Sequence, residues 1–174
     1  MRPLHMKKKA IAAACAGLTL LAASTGRAQV PEAQLKAAYI YNFAMFTTWP
    51  PDPALQKLPF VVCANPEAAM WTALQGYNGK PVNGRAWTLS ELARPKGGRC
   101  DIAILARGAE RPAALASPLA AGTLVVRDGA GHGSAAITLL DDDEHVRFDV
   151  DTQEAARNGL RFSSRLLRLA RNVQ

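Results

Sequence analysis

The chain is poor in aromatic residues, which make up 6% of its 174 residues, and it holds only three cysteines and three histidines. No apolar run reaches the ~18 residues that a membrane-spanning helix needs. There is no G-x-S-x-G, no Gly-rich phosphate loop, no H-E-x-x-H and no HxE…CxxC pattern. The familiar hydrolase, nucleotide-binding and zinc-enzyme signatures are therefore absent. His132 sits in the loop Gly131-His132-Gly133, where a catalytic role would need a nucleophile and an orienting acid that the sequence does not identify. The run from Asp141 to His145 has hard oxygen ligands for a cation. It lacks the glycine and the ligand spacing of an EF-hand, and reads more simply as a solvated hairpin turn. No cofactor or metal site is expected.

The net charge of +7 is concentrated at the start. Arg2 and Lys7-Lys8-Lys9 precede an apolar run from Ala10 to Ala23, and Gly26-Arg27-Ala28 ends in small residues. This is the layout of a secretion signal, with cleavage expected after Ala28. A lipoprotein signal ending at Cys15 fits less well, because the apolar run continues past it. Residues 29–174 then hold 16 basic and 14 acidic residues, a net +2. That balance, and export, disfavour a nucleic-acid partner. The remaining length suits one domain, residues 29–174.

Cleavage would leave Cys63 and Cys100. Two cysteines in an oxidising compartment most simply form one disulfide, closing a loop worth up to about 4 kcal/mol on the chain-entropy model. There is no CxxC spacing for a redox motif, and no paired histidines for zinc.

Five of the eleven aromatic residues fall in one stretch, Lys36 to Pro50, K-A-A-Y-I-Y-N-F-A-M-F-T-T-W-P. Leu35, Tyr39, Phe43 and Phe46 recur with helical spacing, so a helix with an aromatic face is expected. Trp49-Pro50-Pro51 stops it. Trp49 lies just past the helix end and is a candidate docking residue. Further on, strands are expected near 59–64, 85–89, 100–106 and 123–127. Helices are expected from Asn65 (N-cap) to Gln75 and from Glu110 to Ala121. Strands at 135–140 and 144–150 flank Asp141-Asp142-Asp143 as a hairpin. Asp151 with Glu154 forms an acidic capping box, Asn158-Gly159 a C-cap, and Ser163 caps a last helix with Leu166, Leu167, Leu169 and Ala170 inward. The alternation implies an α/β fold of three layers. Its sheet is mixed and mostly parallel, flanked by helices, with a C-terminal antiparallel hairpin. Arg147, Arg161 and Arg165 are candidates for an anion-binding or partner-binding surface, against the plainer reading of a solvated basic face.

Two stretches resemble the YfiR family: the aromatic segment above, and the tail A-A-x-x-G-L-x-x-S-S-x-L-L-x-L-A from Ala155 to Ala170. The segment G-K-P-V-N-G-R at 79–85 resembles a third family element, and the Cys63–Cys100 spacing matches a cysteine pair in YfiR-like proteins. A second pair found in some of them is missing here. The resemblance implies a non-enzymatic periplasmic repressor that binds the sensor domain of an inner-membrane diguanylate cyclase and lowers cyclic-di-GMP. Related domains occur on sensor kinases. A homodimer stays open. Two other classes also stay open: a small-ligand sensory module with its crevice at the carboxyl ends of the parallel strands, and a periplasmic hydrolase with an unfamiliar site.

Overall fold

The computed structural model describes residues 30–108, 121–131, 133–142 and 145–174. The expected signal at 1–28, nearly all of the expected helix at 110–121, and His132, Asp143 and Glu144 lie outside the described residues.

Five strands form the centre of the sheet. They are β2 (Phe60–Ala64), β4 (Arg85–Glu91), β5 (Ile102–Leu105), β6 (Leu124–Asp128) and β7 (Ile137–Asp142). Neighbours in the order β7-β6-β5-β2-β4 are all parallel. A parallel sheet is stable only with both faces covered, which is why the central β2, β5 and β6 are buried along nearly their whole length, whereas β4 and β7 nearer the edges alternate. The two edges are antiparallel to this core. β8 (His145–Val150) pairs with β7, and β3 (Pro81–Val82) turns back onto β4. Asn83 and Gly84 make that turn with φ of 49° and 84°, the positive-φ pair that a two-residue hairpin requires. A short β10 (Asn172–Val173) extends the sheet beyond β8, to eight strands.

One face of the sheet carries the main core. Phe60, Val62, Ile102, Ile104, Val126 and Phe148 meet helix α1 (Glu32–Phe46) there. The helix buries Ala37, Ile40, Phe43 and Ala44. The expected stripe of Leu35, Tyr39, Phe43 and Phe46 is thus rotated from the true contact face, with only Phe43 fully buried. Small Ala37 and Ala44 let the helix axis approach the strands, and the larger side chains fill its flanks. Tyr39 and Phe43 lean onto Phe148, with ring centroids 5.7 and 4.9 Å away. On the other flank Tyr41 stacks on Tyr77 at 4.9 Å and meets Trp87. On the opposite face Val61, Cys63, Cys100, Ala103, Leu105 and Val125 form a smaller cluster among the described residues.

Two helices are shorter than expected. Residues 65–70 form successive turns in which the Asn65 side chain accepts from the Glu67 N–H at 3.0 Å. Only Trp71–Gln75 is helical, α2. This is the Asx-turn alternative that an asparagine offers its own backbone. At the C-terminus, α3 (Thr152–Arg157) begins as expected, with Asp151 accepting from the Glu154 N–H at 2.8 Å. Ser163 caps α4 (Ser164–Leu167). That helix then ends, because the Arg171 N–H donates to the Phe148 carbonyl and draws the chain into β10. Leu169, expected inside, is consequently 64% exposed.

Candidate functional site

The two ends of the domain are clipped together. Thr47–Thr48, β1, follows α1 directly and pairs antiparallel with β9, Arg161–Phe162. The Ser163 N–H continues the ladder to the Phe46 carbonyl at 2.9 Å. Pro50 then lies against Gly122 and Gly159, both with positive φ. A Cβ built at either would stand 3.4–3.5 Å from its ring. Thus the W-P of the first stretch and the G-L of the tail are halves of one contact.

Behind the clip is a cavity of about 730 Å³. Its lining includes Phe46, Trp49, Arg99 and Thr123, together with Arg85 and Asp101 at the starts of their strands. It therefore lies at the amino ends of the parallel strands, not at the carboxyl ends expected for a ligand crevice. Trp49 is half-buried on its wall, edge-on to Phe60 at 5.1 Å. Its indole N–H is buried and finds no acceptor among the described residues.

The base of the cavity is an ion-pair network. Asp101 is 2% exposed and accepts from both terminal nitrogens of Arg85, at 3.0 and 2.8 Å, and from the Val61 N–H at 2.7 Å. Arg99 also donates to it. Arg85 donates further to the carbonyls of Leu58 and Pro59. These carbonyls lie just before β2, where no strand partner serves them, so the guanidinium satisfies a chain end as well as a carboxylate. Cys63 and Cys100 are bonded beside it, joining β2 to the start of β5. These are interior strands, so the staple does not lie at a sheet edge.

The candidate arginines divide. Arg161 is exposed on β9 opposite Thr48. Arg165 is exposed on α4, with its guanidinium 5.2 Å from the Phe46 ring centre. Both therefore stand at the clip near Trp49. Arg147 is exposed on β8 between Val146 and Phe148. Since those two enter the α1 core, strand alternation puts Arg147 on the other face. It does not join the group.

At the opposite end of α1, a cluster that the sequence reading missed holds the helix to the sheet. Lys36, 5% exposed, reaches Asp128 and Asp141 at 2.8 Å each and Glu32 at 2.5 Å. Burial alone would lower the Lys36 pKa, but hydrogen bonds to Asp128, Asp141 and Glu32 outweigh it and hold the ammonium well above the usual lysine range. The Lys36 hydrogen bond lowers the pKa of Asp141, against a smaller opposing effect of burial. Asp141 also receives Arg107 at 3.0 Å, so it serves an ion-pair lattice rather than an open cation site. No group of three metal-ligating side chains occurs among the described residues. A carboxylate with a depressed pKa stabilises the fold above its unfolded-state value of 3.8 and loses that contribution as pH falls through the lower folded value. The melting temperature should therefore fall steeply as pH drops below about 4. Lys36→Met should start lower at neutral pH and flatten this acid limb. An acid limb unchanged in Lys36→Met would show that the pairing does not set it.

No helix among the described residues is long and apolar enough to cross a membrane. No curated protein matches the chain. The family model of YfiR/HmsC-like proteins matches residues 33–171, which takes in α1, the clip and the tail up to the start of β10. With both terminal motifs inside that span and folded against each other, the chain belongs to the YfiR/HmsC-like family.

Proposed function

We propose that this protein is a non-enzymatic regulator of the periplasm. It binds the periplasmic sensor domain of an inner-membrane diguanylate cyclase and lowers cyclic-di-GMP output. YfiR-like proteins are periplasmic regulators of diguanylate cyclase signalling, and family membership supports the same role here. The observation that carries the site is the clip. It sets half-buried Trp49 beside exposed Arg161 and Arg165 at one end of the domain. An aromatic anchor with arginines around it is the usual composition of an interface hot spot. Arg147, on the other face, has no place in this surface.

A pull-down with the sensor domain of a co-encoded cyclase tests the surface. Trp49→Ala and Arg161→Glu should each weaken retention roughly tenfold or more, while Arg147→Glu should leave it unchanged. Loss in Arg147→Glu alone would move the interface to the other face.

A second reading is favoured by the cavity. Its volume and its mixture of aromatic walls, guanidinium groups and hydroxyls suit a small-ligand sensory module. Binding there would bear on Trp49 directly. A ligand-dependent rise in melting temperature, lost in Trp49→Ala, would support it.

A further inference from the structure

The charge of the chain is divided along its length. All 14 acidic residues lie at or before Glu154, whereas residues 155–174 carry five arginines and no acid. Residues 29–154 hold 11 basic and 14 acidic residues, a net −3, so the domain is an acidic body with a +5 tail. Two of the tail arginines are used within the fold. Arg157 pairs with Glu154 at 3.1 Å, and Arg171 grips Asp149 at 3.0 and 2.7 Å. Arg161, Arg165 and Arg168 are exposed and make no ion pair among the described residues.

The local geometry groups them. Arg165, Arg168 and Leu169 stand at i, i+3 and i+4, which is one side of a helical turn, while Leu166 turns into the core. Leu169 is turned outward beside these arginines at 64% exposure, and Val173 is exposed at 49%. Neither is needed for the core. The lining of the cavity behind the clip runs to Ser163 and includes none of Arg165, Arg168 and Leu169, so this surface is separate from that cavity. Unpaired arginines around projecting aliphatic side chains match a lipid interface. Guanidinium groups take phosphates, and leucine enters the boundary of the acyl chains.

We propose that this side of the tail docks reversibly on an anionic phospholipid surface, which would hold the protein at the membrane that contains its partner. Co-sedimentation of residues 29–174 with phosphatidylglycerol-containing vesicles, and with vesicles of phosphatidylcholine alone, tests this without any protein partner. The regulator reading can therefore stand or fall separately. The protein should pellet with the anionic vesicles at low salt and be released at about 0.5 M salt, where charges a few ångströms apart are already screened. It should ignore the neutral vesicles. Arg165→Gln/Arg168→Gln should lower anionic binding roughly tenfold or more, and Leu169→Ser should lower it at unchanged melting temperature. Arg94→Gln, on an exposed loop after β4, should have no effect. No binding to anionic vesicles, or binding untouched by the double substitution, would overturn the proposal. So would a protein that ignores vesicles yet loses an acidic sensor domain in Arg165→Gln/Arg168→Gln, for the surface would then be a protein interface.

Discussion

Asp101→Ala should be among the most damaging single substitutions in the domain, costing about 3–5 kcal/mol. The reason is asymmetry. Arg85 is 8% exposed, and its side chain is fixed by the carbonyls of Leu58 and Pro59 as well as by Asp101. Removing the carboxylate leaves a buried guanidinium with no counter-charge, and strips the Val61 N–H of its acceptor. Both deficits fall at the start of β2, beside the disulfide. Asp101→Asn should be milder, because an amide oxygen can still accept from Val61, although the charge is lost. Denaturant unfolding monitored by tryptophan fluorescence measures both. Equal and small losses for the two would mean that water, not Asp101, serves Arg85.

Phe43→Ala should cost about 3–5 kcal/mol. Phe43 is 1% exposed and meets both Tyr39 and Phe148, so its removal opens a cavity at the crossing of α1 and β8. Trp49→Ala is the informative partner of this measurement. Trp49 is only half-buried, its ring meets Phe60 edge-on, and its N–H makes no hydrogen bond among the described residues. It should cost about 1–2 kcal/mol, below the usual range for a buried tryptophan, and leave a cooperative melt. If Trp49→Ala unfolds the domain as badly as Phe43→Ala, Trp49 is a core residue and the interface lies elsewhere on the clip.

These two residues also show how far the sequence could be read. Phe43 falls on a helical stripe, and the stripe correctly implied a covered helix. Periodicity alone put the face on the aromatics, however. The contact is made through Ala37, Ile40, Phe43 and Ala44 because a helix lying on a sheet gains most from close approach, and the other aromatics then serve its flanks. The central parallel strands β2, β5 and β6 were legible because burial on both faces leaves a run of apolar residues. The clip was not legible as a pairing. β1 and β9 have two residues each, over a hundred positions apart, and no local pattern encodes a contact of that range. The same holds for Lys36 with Asp128 and Asp141, and for Arg85 with Asp101. Each is an ordinary charged residue in sequence, and only the fold buries them together. The nearest sequence signal was Lys36 beside Ala37 and Ala38 in a helix, a cation where an amphipathic pattern has apolar neighbours on both sides. The disulfide was suggested by counting cysteines, but its position between central strands follows from the strand order β5-β2-β4.

On the proposed function, this chain acts by occupying a cyclase partner and not by chemistry of its own. Cyclic-di-GMP measured by mass spectrometry in a strain lacking the gene, against the same strain complemented with the wild type, tests it most directly. The level should rise in the deletion and be restored by the wild type, but not by Trp49→Ala expressed at equal abundance. An unchanged cyclic-di-GMP level in a strain that normally expresses the protein would contradict it.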